Sequence, residues 1–192
     1  EEYYEKITNY KLQITNSLLY VGNAYPHKNL NKLLDKVKIL ATTHHLSAIC
    51  LTIVCPRDVF SERLAKEVKI RDLEKHVKIR GYLAPQVLKK LFLNSSLYVF
   101  PSLAEGFGIP GLNAMASNLP VAASDISILR EVYDTAAIYF DPANSEDIAS
   151  KIKKVLTDTK IRRELIETGK KQVNKYSWNK MAQETLNLYE EA

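Results

Sequence analysis

The sequence predicts a doubly wound α/β domain built on a parallel sheet of about six strands. Three observations carry this prediction. Short β-branched or apolar runs recur along the 192 residues, at 18–21, 49–54, 77–80, 97–100, 121–124 and 137–140. Each is followed by a segment whose apolar residues fall at helical spacing. Hairpin turns are missing between the runs, so consecutive strands must be joined by crossovers and lie parallel.

The elements follow in order. The opening run LLYV leads into a loop, GNAYPHKN at 22–29, and then into a helix whose inner face is Leu30, Leu33, Leu34, Val37 and Leu40. The second run lies within AICLTIVC. Its thiols, Cys50 and Cys55, are five residues apart and fall on opposite faces of a strand, which reads as core packing rather than a disulfide or zinc pair. His44 and His45 sit in the polar turn before it, with no cysteine or second histidine pair to complete a metal site, and read as loop residues. VKIR forms the third strand, and Val87, Leu88 and Leu91 mark the helix after it. LYVF is the fourth strand and is followed by PSLAEGFGIPGLNAMA at 101–116; VAAS and AIYF complete the sheet. Three helices then close the chain. One begins near Ser145 with Glu146 and Asp147 in its first turn, where acids suit the helix dipole. The second covers about 160–175, and the last starts after Ser177. Trp178 and Tyr189 lie on one face of that last helix and are expected to be packing residues. The pattern is that of a Rossmann-like sheet, with no internal repeat, linker or low-complexity tract.

Composition sets the outer limits. With 46% hydrophobic and 26% charged residues, the chain is an ordinary globular sequence with enough apolar mass for one core, which excludes disorder and collagen. No apolar run approaches the ~20 residues of a bilayer crossing, and EEYYEKITNY is too polar for a secretory signal, so a soluble chain is expected. The sequence starts at Glu1 and its methionines are Met115 and Met181, which suggests a domain excised from a longer protein: 1–16 as a linker or N-terminal extension, 17–192 as the domain. Twenty-seven Lys+Arg against 22 Asp+Glu give a net charge of +5, spread over polar helix positions and mildly denser at 151–175. This is no basic stripe interleaved with aromatics, so nucleic acid is not the expected partner. A diphosphate or a membrane surface is the anionic partner that remains. Two thiols in a chain of this size fit a reducing compartment.

Ligands of doubly wound sheets bind beyond the carboxyl ends of the strands. Two loops stand out there. In 22–29 a lysine, Lys28, adjoins a helix start; in 101–116 a glycine-rich turn precedes Pro110 at a first helical position. Both arrangements hold anionic oxygens, and their convergence points to a phosphate-bearing ligand. Gly106, Gly108 and Gly111 also spell the dinucleotide fingerprint G-x-G-x-x-G, with Asp125 where a ribose-binding acid would be wanted. Its context is wrong. The fingerprint follows a first strand immediately, whereas here five residues separate Phe100 from Gly106, the strand is the fourth, and Glu105 would set a negative charge beside the pyrophosphate.

The stretch PSLAEGFGIPGLNAMASNLPVAASDISILREV resembles the signature of retaining glycosyltransferases of the GT-B fold, the large family-four group. LLYVGNAYPHKNL and VKIRGYL upstream, and AAIYFDP and YSWNKMAQETLNLY downstream, follow in the order that family shows. The resemblance runs from about Ser17 onward. It implies one half of a GT-B fold, the C-terminal nucleotide-sugar-binding half, with the acceptor-binding half outside this chain. The implied activity is transfer of a sugar from a nucleoside-diphosphate sugar to a glycan or lipid-linked acceptor. The donor is a substrate, so no cofactor is expected; no Asp-x-Asp handle occurs, so no metal is expected either. Location would be cytoplasmic, with peripheral contact at the inner face of the membrane as a further expectation.

Site residues are implied one by one. Lys28 matches the diphosphate-binding lysine, and the backbone N–H groups of Phe107, Gly108 and Ile109 would cradle sugar and phosphates, with Gly106 and Gly108 permitting close approach. Glu105 matches the first acid of a two-glutamate motif, contacting the donor sugar and offsetting positive charge at the anomeric carbon. Gly22 and Asn23 line the first loop, and the base is expected near 81–84, at Tyr82 and Leu83. Tyr82 could equally pack in the core. Two positions depart from the family pattern. The second glutamate is replaced by Asn113, an amide with one acceptor where a carboxylate would grip both ribose hydroxyls. The arginine that many relatives carry before the lysine is absent, which leaves the diphosphate to Lys28 alone or with Arg57 recruited from the loop after the second strand. A non-catalytic nucleotide- or glycan-binding domain of the same fold is the alternative reading of those departures.

Overall fold

The computed structural model describes residues 16–43 and 48–191. Strands β1 (Ser17–Val21), β2 (Cys50–Val54), β3 (Val77–Arg80), β4 (Leu97–Phe100), β5 (Val121–Ser124) and β6 (Ala137–Phe140) form one parallel sheet in the order β3-β2-β1-β4-β5-β6. Every strand expected from the sequence is present, within one residue at each end. Burial explains why the runs read so clearly: all residues of β4 and β5 are buried, as strands covered on both faces must be, whereas the edge strand β3 carries exposed and half-buried positions.

Eight helices among the described residues cover the sheet: α1 (Leu30–Thr43), α2 (Val59–Ile70), α3 (Pro85–Asn94), α4 (Ile109–Ala116), α5 (Ser127–Tyr133), α6 (Ser145–Thr157), α7 (Thr159–Val173) and α8 (Trp178–Glu190). In α1 the five expected core residues are all buried. The face of α3 is shifted: Phe92 is its buried residue, and Val87 is exposed. Helix starts are fixed by side chains. Asp58 caps α2 through the N–H groups of Phe60 and Ser61, and Asn144 caps α6 through those of Glu146 and Asp147. A half-exposed ion pair, Lys36 Nζ to Glu146 Oε1 at 3.1 Å, links α1 to α6.

Cys50 is half-buried on β2, Cys55 is buried just past it, and both are free. Burial pushes the Cys55 thiol up to about 11, consistent with an inert core residue. The loop assignments of His44 and His45, and the N-terminal extension apart from Asn16, lie outside the described residues. One packing expectation is corrected, and one of the two alternatives for Tyr82 is removed. Trp178 and Tyr189 are 70% and 78% exposed and α8 buries no residue, because no other described segment covers its apolar face. Tyr82 does not enter the core: it is 87% exposed in the loop after the edge strand.

Candidate functional site

The order of the strands places a crevice between β1 and β4, where the winding reverses direction. Its opening is visible in the ladder. Pairing of β1 with β4 stops at Leu19↔Tyr98, although the strands run on to Val21 and Phe100. The loop after β1 turns through a 3-10 segment, Pro26–Lys28, and ends at Asn29 in the left-handed conformation (φ 57°) that asparagine tolerates. The loop after β4 meets it: Leu103 N–H donates to the His27 carbonyl at 2.7 Å. This backbone clasp brings Lys28 and Glu105, 77 residues apart in sequence, into an ion pair of 2.6 Å. Both side chains are nearly buried, at 12% and 10% exposure, so the pair is screened little by solvent. The Lys28 ammonium also lies 6.0 Å from the centre of the Phe100 ring.

Beside the pair is the amino end of α4. Gly108 is its N-cap, at φ 95°, and Pro110 is its second residue, one later than expected. The N–H groups of Phe107, Gly108 and Ile109 find no acceptor among the described residues. Unpaired amides at a helix start, with the dipole behind them, favour an anion. The glycines of this turn answer to different demands. A Cβ on Gly106 would meet nothing within 4 Å, which leaves room for a ligand. A Cβ on Gly108 would lie 2.5 Å from the Tyr133 hydroxyl, and one on Gly111 would collide with the same phenol. Glycine at 108 is thus required by a positive φ and by the tyrosine beneath it, a demand that stands apart from any ligand clearance. Tyr133 is fully buried and donates to the Gly108 carbonyl at 2.5 Å.

The remaining candidates lie on both sides. Gly22 N–H donates to the Val54 carbonyl at 3.0 Å, Asn23 Oδ1 accepts from Tyr25 N–H at 3.4 Å, and Tyr25 packs edge-on against Phe60 of α2 at 4.8 Å. Arg57, exposed at the end of β2, lies over Gly81: a Cβ there would sit 2.9 Å from its Nε. Tyr82 is exposed and Leu83 half-buried beside it. Asn113 is exposed on α4 and lines a groove of about 580 Å³ between α4 and α8, with Phe107, Leu112, Trp178 and Met181. Asp125 belongs to another pairing. Arg130 holds it through two bonds of 2.6 Å and, by those bonds first, keeps its carboxyl below the usual range, so the acid a dinucleotide site would need is occupied. Among the described residues no three His, Cys, Asp or Glu side chains gather as a metal site. No helix among them is long and apolar enough to cross a membrane. Sequence reasoning missed Tyr20, Tyr98 and Tyr133, whose phenols all lie under this crevice; each reads as an ordinary core position.

Strand order, a crevice at the reversal, a buried cation and free helix-start amides define one Rossmann-like half of a GT-B fold. The chain belongs to the family described as glycosyl transferases group 1, whose model matches residues 9–172. It is 34% identical over 145 residues to the O-antigen chain mannosyltransferase RfbU of Salmonella typhimurium, covering 76% of this chain and 40% of that protein. It is 28% identical over 183 residues to the O-antigen chain mannosyltransferase B of Escherichia coli, covering 95% and 48%. The chain therefore spans less than half the length of these relatives. Among solved structures, TarM of S. aureus, crystallised with fondaparinux, alpha-GlcNAc-glycerol and UDP, superposes with a TM-score of 0.81 over 92% of this chain and 36% of its own, at 23% identity. The C-terminal domain of the group 1 glycosyl transferase LpcC from Francisella tularensis matches with a TM-score of 0.69 over 83% and 84% of the two chains, also at 23% identity. At that identity the likeness is one of fold.

Proposed function

We propose that this chain is the donor-binding half of a retaining glycosyltransferase that moves a sugar from a nucleoside-diphosphate sugar to a glycan or lipid-linked acceptor held by another half. The observation that carries the reading is the Lys28–Glu105 pair, set across the β1/β4 crevice beside the unpaired amides of α4. A departing nucleoside diphosphate gains negative charge, which Lys28 and the N–H groups of Phe107, Gly108 and Ile109 stabilise without a metal. The sugar it leaves gains positive charge at the anomeric carbon, and the Glu105 carboxylate offsets that. The acceptor hydroxyl attacks from the leaving-group face and passes its proton to the departing phosphate oxygen, so this half supplies no nucleophile.

The other roles belong to the same proposal and rest on the family resemblance. Arg57 reaches the diphosphate from the far side, Gly22 and Asn23 line the near loop, Tyr82 and Leu83 meet the base, and Asn113 offers its one carbonyl to the ribose. Two curated relatives named as O-antigen mannosyltransferases support mannose as the first sugar to test. A cytoplasmic site at the inner face of the membrane fits a lipid-linked acceptor.

A thermal-shift panel of nucleoside diphosphates and their sugars at millimolar concentration tests the reading on this chain. One base series should stabilise it, while the chain alone transfers no sugar. The full-length protein should transfer sugar, with or without a chelator. Silence across the whole panel from a folded chain would favour a non-catalytic glycan-binding domain, whereas nucleotide binding without transfer by the full-length protein would favour a non-catalytic nucleotide-binding one.

A further inference from the structure

Three tyrosines lie under the crevice with no part in the chemistry above. Tyr20 on β1, Tyr98 on β4 and Tyr133 at the end of α5 are each fully buried. A buried phenol needs a partner for its hydroxyl, and all three use the same kind: a main-chain carbonyl at the carboxyl edge of the sheet. Tyr98 donates to the Val21 carbonyl at 3.1 Å, Tyr20 to that of Asn23 at 2.8 Å, and Tyr133 to that of Gly108 at 2.5 Å. Two of these carbonyls flank Gly22, in the loop that delivers Lys28. The third is the N-cap of α4, in the loop that delivers Glu105; it also accepts from Gly111 N–H at 3.0 Å, so Tyr133 and the first turn of the helix hold it together. Val21 stays paired with Val54 of β2, but past Leu19↔Tyr98 β4 offers β1 no ladder partner, so on that side the end of β1 is held by a side chain instead.

A carbonyl oxygen is the negative end of a peptide dipole, and turned into a cleft for an anion it would repel the ligand. We infer that Tyr20, Tyr98 and Tyr133 are positioning residues that draw these three carbonyls down into the protein, so that the two loops present N–H groups and Lys28 to a diphosphate. The inference rests on reading the cleft as a nucleoside-diphosphate-sugar site. The glycines fit the same packing: a Cβ on Gly22 would lie 2.8 Å from the Tyr20 hydroxyl, as one on Gly108 would crowd that of Tyr133, so these two rings sit directly beneath their loops. Burial above all, and the Glu105 charge in addition, hold the three phenols well above their ordinary range.

Tyrosine to phenylalanine removes the donor and keeps the ring. Wild type, Tyr133→Phe, Tyr98→Phe and Tyr20→Phe are titrated with UDP and GDP and with uridine and guanosine, and amide hydrogen exchange is followed at Gly111. Tyr133→Phe should weaken binding of the preferred diphosphate about five- to tenfold. It should leave nucleoside affinity within about twofold and speed exchange at Gly111, whose N–H donates to the Gly108 carbonyl at 3.0 Å. A purely structural tyrosine would lower the melting temperature and leave the ratio of the two affinities unchanged, and that result overturns the inference. If Tyr133→Phe does not fold, Tyr98→Phe and Tyr20→Phe carry the same test through the loop after β1. Wild type that binds no diphosphate defeats the donor-site reading and the brace with it. Wild type that binds, with every variant equal to it, defeats the brace alone.

Discussion

The loops after β1 and β4 and the loop after β3 leave the same edge of one sheet, yet they are held in different ways. The first two are clasped to each other by Leu103 N–H and the His27 carbonyl, bridged by Lys28 and Glu105, and pinned from below by buried phenols. The third leaves Tyr82 87% exposed, with Arg57 laid over Gly81. A site that must hold a charged group against water needs donors fixed in advance. A flat aromatic or aliphatic contact needs only surface. The difference teaches where a ligand's charge would be gripped and where its apolar part would rest.

The strongest way to break the comparison is through the pinned loop. Gly111→Ala drives a methyl group into the buried Tyr133 phenol and should cost about 3 kcal/mol, the upper part of the overpacking range. Gly106→Ala, whose Cβ meets nothing, should stay within about 0.5 kcal/mol of wild type. Denaturant midpoints measure both; equal losses would mean that the turn is not held by Tyr133.

Next in size is the charge. Lys28→Ala should cost ~1.5–3 kcal/mol of nucleoside-diphosphate affinity, the value of a hydrogen bond to a charged group, and far less for the nucleoside. Calorimetry on matched ligands gives the split, and identical losses would remove Lys28 from the phosphate. Asn113→Glu comes third. With residue 113 at the ribose, as proposed, the new carboxylate should gain ~1–2 kcal/mol for ribo-diphosphates and little for 2′-deoxy ones. Because Asn113 lines the α4–α8 groove, an equal response to both sugars would assign it to that groove instead. The smallest effect belongs to the open loop: Tyr82→Ala should lower affinity for nucleoside and diphosphate alike by about 0.5–1 kcal/mol, as expected of one exposed aromatic contact. A loss confined to the diphosphate would contradict the division of labour.

Much of this was legible beforehand for a physical reason. Buried parallel strands must be apolar on both faces, so LYVF and VAAS announce themselves, and Leu30 through Leu40 repeat at helical spacing against the sheet. Lys28 and Glu105 could be named from their motifs, but their direct pairing depends on topology that brings residues 77 positions apart to one crevice. Tyr133 could not be singled out. LREVY ends like any amphipathic helix, and nothing local shows that its last phenol lies under two glycines more than twenty residues upstream. The exposure of Trp178 and Tyr189 was hidden for the opposite reason: an amphipathic pattern shows that a face is apolar without showing what covers it.

The central claim is that the β1/β4 crevice grips a diphosphate through Lys28 and the start of α4. Titrating the isotope-labelled chain with a nucleoside diphosphate, and following its amide resonances, tests this most directly. Saturable shifts are expected at Phe107, Gly108 and Ile109, and they should be lost in Lys28→Ala. Saturable shifts confined to α6, α7 and α8, or shifts at residues 107–109 that survive Lys28→Ala unchanged, would contradict it.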